Sequence, residues 1–262
     1  MYKKKIASLL VTTFIALSSN ALASEQQLQK SFMPQQEAEI GKIAGEYLLA
    51  HPEILVQVSQ KLQAQQQARA QLSFALKVME QQNALLLDPE TPVTGPDNAK
   101  VAIIEFFDYQ CVHCSHLAPT MEAVMKESKD VRFIFKEWPI FAGRWPASEK
   151  AAIRGLEIWK QKGADAYMRY HNGIFRTGHD EGKLTDADIQ SVSAAAGFAS
   201  TVDTDSGNVL TRNDELAQSL GLTGTPGLIV MPVKNATPET ITVFPGRASA
   251  DQLKAAIARA QQ

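Results

Sequence analysis

The sequence predicts an α/β chain in which a sheet-containing domain carries an all-helical insertion and follows an N-terminal helical arm. Three observations carry this. Helical periodicity extends from Pro34 to about Asn83, with a single break at His51-Pro52. Turn and linker chemistry follows at Asp88-Pro89-Glu90-Thr91-Pro92 and Gly95-Pro96-Asp97. From Val101 onward the order is strand, helix, strand, helical block, strand, strand, helix. Strands separated by a helix imply parallel pairing, and two consecutive late strands imply an antiparallel hairpin.

The first residues set the compartment. Lys3, Lys4 and Lys5 precede an apolar run from Ile6 to Leu17, and Ala21-Leu22-Ala23 has the form of a cleavage signal. The run is too short to span a bilayer comfortably. A signal peptide over 1–23, cleaved after Ala23, implies export to the periplasm. Ser24 rather than Cys stands directly after the cleavage point, which disfavours a lipid-modified N-terminus, although association with the outer membrane stays open. Loss of the three lysines leaves 23 basic against 28 acidic residues, a net charge of −5. That balance argues against nucleic acid, which would want a basic face.

The arm and its linker occupy 24–92. Residues 24–33 are polar, and the first helix shows Ile40, Ile43, Ala44, Tyr47 and Leu48 at three- and four-residue steps. The residue before a proline avoids helical geometry, so the helix stops at His51-Pro52. A second helix from about Glu53 to Asn83 carries a narrow stripe of Ile54, Val58, Leu62, Ala68, Leu72, Leu76 and Met79. Such a stripe cannot bury itself, so it packs on another chain or on the main domain. The Gln-rich tract around 63–67 reads as a solvated face, and the arm as an oligomerisation element rather than a disordered tether.

Within 93–262, Val101–Phe107 reads as a buried strand and His113–Lys126 as a helix kinked or restarted near Pro119. Val131–Glu137 is a second strand, and the insertion runs over about 145–220, with turns at Gly163, Gly178–Gly182 and Gly197. Leu228–Met231 and Ile241–Phe244 are short strands. Ser249-Ala250-Asp251-Gln252 is a capping box opening a last helix that is apolar at Leu253, Ala256 and Ile257. This is a thioredoxin-like topology.

Cysteine usage points to chemistry. An exported chain normally uses cysteines as staples, yet here there are two, Cys111 and Cys114, three positions apart. So small a loop gains little from a cross-link. The pair follows a buried strand and opens a helix, where free backbone N–H groups and the helix dipole stabilise a thiolate. Its pKa falls and exchange becomes fast near neutral pH. A protonated His113 adds positive charge beside the sulfur, which favours the dithiol and makes the disulfide more oxidising. Cys111 is the expected exposed nucleophile and Cys114 the sheltered resolving thiol. Zinc would need a second Cys/His pair besides Cys111, Cys114 and His113 or His116. Haem attachment would need His at 115, which is Ser. No metal or other cofactor is expected.

Gly224-Thr225-Pro226-Gly227 precedes the apolar strand Leu228-Ile229-Val230. Alone it is an ordinary turn; with the two cysteines it reads as a cis-proline loop facing the sulfurs. A cis X–Pro bond exposes the preceding backbone groups, which can pair with an extended substrate strand.

The run Glu105-Phe106-Phe107-Asp108-Tyr109-Gln110-Cys111-Val112-His113-Cys114, with Gly224-Thr225-Pro226, resembles the Dsb family of periplasmic disulfide oxidoreductases. Tyr47-Leu48-Leu49 and His51-Pro52-Glu53-Ile54-Leu55 resemble a narrower branch of ScsC-type and Com-type proteins, in which an N-terminal helical arm joins protomers. The resemblance implies Cys111 as nucleophile, Cys114 as resolving thiol, Thr225 and Pro226 as the substrate-facing loop, and a homo-oligomer, with a dimer favoured. It also aligns Glu105 with a buried carboxylate that assists proton transfer. Burying a lone Glu unpaired is expensive; the alternatives are a strand edge facing water or a partner, for which Lys136 is the candidate. The family's strong oxidases carry Pro where Val112 stands, and its isomerases tend to carry Thr before the cis-proline. Both features lean toward isomerase or dual activity.

The remaining residues read as bland. His116 covers the site surface, and His171 and His179 lie on the surface near turns. Trp138, Trp145 and Trp159 are packing anchors, with Trp138 or Trp145 as candidates to line a substrate groove. The expected partners are exported proteins bearing thiols or disulfides and a membrane oxidase or reductase that recycles the pair. A copper-binding metal-tolerance protein and a dimeric periplasmic chaperone are the competing classes.

Overall fold

The computed structural model describes residues 32–199 and 207–262; the signal segment expected over 1–23 lies outside the described residues. Contacts divide the chain into two units, 1–63 and 64–262. The first contains α1 (Pro34–Ala50) and the opening turns of α2 (Glu53–Glu80), separated at His51-Pro52 as the proline dictates. No residue of α1 is buried, and Ile40, Ile43, Tyr47, Val58 and Leu62 are exposed.

The second unit begins inside α2, well before the linker near Pro92 where the sequence suggests a boundary. The reason is packing. Ala75 and Val78 on α2, and Leu85 and Leu86 on α3 (Gln82–Leu86), are buried in the same cluster as the sheet residues Ala102, Ile104 and Ile229. Gln71 seals the contact from the side. Its amide donates to the Val243 carbonyl at 2.7 Å and its oxygen accepts from the Val243 N–H at 3.3 Å. The expected stripe is not the face used, since Leu72, Leu76 and Met79 stay exposed. α2 stops at Glu80 rather than Asn83, with a turn at Gln81 before α3.

The sheet has five strands in the order β1-β3-β2-β4-β5, with β1 at Val93–Thr94, β2 at Val101–Phe107, β3 at Val131–Glu137, β4 at Gly227–Pro232 and β5 at Thr242–Phe244. β2 and β3 are parallel, β4 runs antiparallel to β2, and β4 and β5 form the expected hairpin pair. β1, which reads as linker in sequence, pairs antiparallel with β3 and covers its outer edge. Two residues between turn signals carry no period of their own.

Alternation along the strands assigns the faces. Val101, Ile103, Phe107, Phe133 and Phe135 pack beneath α4 (Val112–Glu127), α6 (Ala164–Arg176) and α9 (Ala250–Ala260). Ala102, Ile104, Phe106 and Ile134 pack on the opposite face, against α2, α3 and α8 (Gly207–Leu220). The helical insertion consists of α5 (Ala147–Lys162), α6, α7 (Asp186–Ala195) and α8. α4 runs unbroken through Pro119, so no restart occurs there. The capping box at Ser249 and Gln252 forms as expected. No helix among the described residues is long and apolar enough to cross a membrane.

Candidate active site

The site is built where β2 hands the chain to α4. Asp108, buried, organises the turn. One carboxylate oxygen accepts from the Gln110 N–H at 2.7 Å; the other accepts from the Phe141 N–H at 2.9 Å and the Ser148 hydroxyl at 2.8 Å. The Gln110 side chain accepts from the Gly182 N–H at 2.6 Å and donates to the His179 carbonyl at 3.1 Å. The insertion thus holds the approach to Cys111 from two sides. Sequence reasoning assigns neither residue a role; the available signal is two polar side chains within three positions of a strand that is apolar but for Glu105.

Cys111 occupies the N-cap of α4 with extended backbone, φ −83° and ψ 114°. Its sulfur lies 3.3 Å from the Thr225 carbonyl, to which the thiol donates. The Thr225–Pro226 bond is cis, so the loop expected to face the sulfur does so. Both cysteines are in the dithiol form. The Cys111 thiol is lowered to about 6, chiefly because Cys114 donates its S–H to the charged sulfur. Burial opposes this, while the Thr225 hydroxyl and the backbone N–H groups of Cys114 and His113 add to it. Among the described residues that hydroxyl has no other partner. Cys114 moves the other way, far above the ordinary thiol range, through burial and then its pairing with Cys111. One sulfur holds the charge and the other keeps the proton.

Cys111 is not openly exposed: 3 % of its surface is accessible, against none for Cys114, so attack is confined to the lip beside Thr225 and His113. Lys136 is not the partner of Glu105. In the β2–β3 register Glu105 stands opposite Phe135 and Lys136 opposite Phe106, so parity puts the two charges on opposite faces. Lys136 instead donates to Thr91 at 2.7 Å and to Asp88 at 3.2 Å. His171 is not a surface residue. It is 2 % exposed among Phe107, Phe135, Tyr167 and Phe175, and desolvation lowers it to about 4. Trp138 lines no groove, being buried edge-on to Phe106 with its indole N–H donating to Asp214 at 2.8 Å.

Glu105 is not a strand-edge residue either. It is 2 % exposed on the central strand, one carboxylate oxygen has no hydrogen-bond partner among the described residues, and burial raises it to about 8. Its field pushes the Cys114 thiol upward, so the two share one electrostatic environment. A second carboxylate, Glu137, escapes sequence reasoning. It accepts from Tyr167 at 2.9 Å and Tyr109 at 3.1 Å, beneath Gly155, where a Cβ would come within 2.7 Å of its oxygen. His113 is exposed at the start of α4, and His116 is exposed one turn on.

Residues 87–244 match the family model described as thioredoxin. The chain belongs to the thioredoxin family. Residues 36–69 match a second model, described as the N-terminal domain of the copper resistance protein ScsC. Among solved structures, BcfH of Salmonella enterica Typhimurium is 36 % identical, with 87 % of this chain and 97 % of that one covered and a TM-score of 0.72. ScsC of Proteus mirabilis in a transitional conformation is 26 % identical, with the same coverage and a TM-score of 0.60. Disulfide bond formation protein D of Bacillus subtilis is 33 % identical over 88 residues, which is 32 % of this chain and 38 % of that protein. The chain therefore spans well under half of that curated relative. The thioredoxin-like fold and the ScsC-type arm agree with the resemblance drawn from the sequence.

Proposed function

We propose that the protein is a periplasmic thiol–disulfide oxidoreductase that forms or isomerises disulfides in exported proteins through Cys111 and Cys114. The observation that carries this is the split of the pair. A sulfur at a helix mouth is anionic at neutral pH, and its neighbour three residues on retains a proton. A thiolate with a pKa near the ambient pH is a good attacking group and a good leaving group. When Cys111 attacks a client disulfide, one client sulfur is released as thiolate and a mixed disulfide forms. Cys114 then loses its proton and displaces the second client sulfur, closing the Cys111–Cys114 bond. Glu105 is the candidate to exchange that proton: with a pKa of about 8 both its forms are populated not far above neutral pH, the carboxylate able to take the Cys114 proton and the carboxyl to return it. Recycling falls to a membrane oxidase or a membrane reductase, and that partner sets the direction.

The rate of attack by the reduced protein on a small disulfide should rise with pH to a plateau, half-maximal near 6. Cys111→Ala should reduce it to the uncatalysed rate. Stopped-flow measurements that placed the midpoint near the ordinary thiol value of about 8.5 would overturn the assignment, as would turnover surviving the substitution.

The arm is proposed to join copies of this chain, a dimer being favoured. In support, its apolar residues at 40, 43, 47 and 62 are exposed, and the matched family model over 36–69 lies on it. Removing 1–63 should lower the mass in light scattering and abolish isomerisation of a scrambled substrate, while oxidation of a simple dithiol continues. A truncated protein of unchanged assembly state would rule out this role for the arm.

A further inference from the structure

Beside the sulfur lies a groove of about 330 Å³, bounded by His113, the loop carrying Thr225 and Pro226, and the turn Pro245–Arg247. That is the small end of ligand sites, suited to a side chain or two rather than a cofactor. Its charge is one-sided. Among the described residues the lining holds no carboxylate, and the groups able to carry charge are the His113 imidazole and the Arg247 guanidinium.

Arg247 is held there by backbone geometry. Gly246 adopts φ +147°, a conformation that favours glycine, in the turn between β5 and the buried Ala248. The guanidinium is exposed and, among the described residues, makes no ion pair or side-chain hydrogen bond. Arg212 and Arg176, by contrast, pair with Glu90 at 2.6 Å and Glu122 at 2.7 Å. The nearest acid along the chain, Asp251, acts on Lys254.

We propose that Arg247, with His113, makes the protein prefer client segments carrying an acidic side chain next to the reacting cysteine. The inference rests on the disulfide-exchange reading above and names the substrate class for that site. In the oxidising direction a client thiolate attacks the Cys111 sulfur of the Cys111–Cys114 disulfide, and Cys114 leaves as thiolate. The second client thiolate then attacks the first client sulfur and releases Cys111, so two electrons pass from the client to the pair. A carboxylate beside the first client cysteine lies in the groove during both steps, within reach of the guanidinium. Arg247 is thus a specificity residue; it takes no part in bond exchange.

The test uses the oxidised full chain and three substrates: dithiothreitol, and two otherwise identical two-cysteine peptides with Glu or Lys flanking the first cysteine. The Glu peptide should show the higher kcat/KM, by about three- to fivefold at low salt, the scale of one solvent-exposed charge pair. The preference should disappear in Arg247→Gln, reverse in Arg247→Glu, and fade at about 1 M salt, where screening acts within roughly 3 Å. A ratio near one in the unsubstituted protein, or one that the substitutions do not move, overturns the proposal while leaving the exchange reading intact. Failure of the unsubstituted protein to oxidise dithiothreitol overturns the exchange reading itself.

Discussion

Glu105→Gln should make the reduced protein more stable at alkaline pH and leave it nearly unchanged in acid. Burial holds the Glu105 carboxyl at about 8, against 4.5 for an ordinary glutamate, so the folded chain keeps a proton that the unfolded chain releases. A raised folded-state pKa contributes stability that is complete below the unfolded value of 4.5 and is lost as pH rises through about 8. Above that, the folded state carries a buried carboxylate, one oxygen of which has no hydrogen-bond partner among the described residues. Glutamine has the same shape and cannot ionise. A tenfold change in an ionisation constant is worth about 1.4 kcal/mol, so the substitution should gain roughly 3–6 kcal/mol near pH 9. Urea unfolding of both proteins at about pH 4 and pH 9 checks it. The other buried acids, Asp108, Glu137 and Glu157, are present in both proteins and largely drop out of the difference. A stability difference that did not grow with pH would show that Glu105 ionises freely in the fold. The same substitution removes the candidate acceptor of the Cys114 proton, so resolution of the mixed disulfide should slow while attack by Cys111 stays fast.

Asp88→Ala should destabilise the protein by about 3 kcal/mol or more, and Asp88→Ala with Lys136→Met should restore most of the loss. The Lys136 side chain is 1 % exposed, with its ammonium held by Asp88 and Thr91. The Lys136 amine is already lowered by desolvation, with Asp88 resisting the shift. Burial tends to raise Asp88, and it ends below the usual carboxylate value because Lys136 and its hydrogen bonds outweigh that cost. Removing the acid strands the cation, whereas replacing the cation as well leaves an apolar side chain of similar length on an apolar face. Chemical denaturation of the two variants, compared with Lys136→Met alone, separates the cost of an unpaired charge from that of the lost packing. Equal losses in the single and double variants would mean that Lys136 escapes to water when Asp88 is gone.

That pair also shows where sequence reasoning reaches its limit. Lys136 reads as a partner for Glu105 because both are charges in apolar strands. The β2–β3 register, one residue away from pairing them, puts Glu105 on the α4 side and Lys136 with the segment around Asp88. Register depends on which side chains meet across strands, and no local pattern states it. His171 is misplaced for a similar reason. One polar residue near a turn looks exposed until α6 packs its ring among Phe107, Phe135 and Tyr167. The start of the compact unit at 64 is hidden in the same way, because Gln71 and Ala75 show no apolar stripe and matter only through what they touch.

Local chemistry is enough to specify part of this protein from its residues alone. It sets the strands at 101–107 and 131–137, the helix stop at His51-Pro52, the capping box at Ser249, and a Cys-x-x-Cys whose first sulfur sits at a helix mouth. Each depends on neighbours within a few positions, where periodicity, proline geometry and unpaired N–H groups act directly. Packing settles the rest: the Thr225 loop against Cys111, the solitary burial of Glu105, the Asp108 and Gln110 contacts with the insertion, and Arg247 at the groove rim. These join residues tens of positions apart or more, and in water such pairings gain little until the packed core removes the solvent that competes for them.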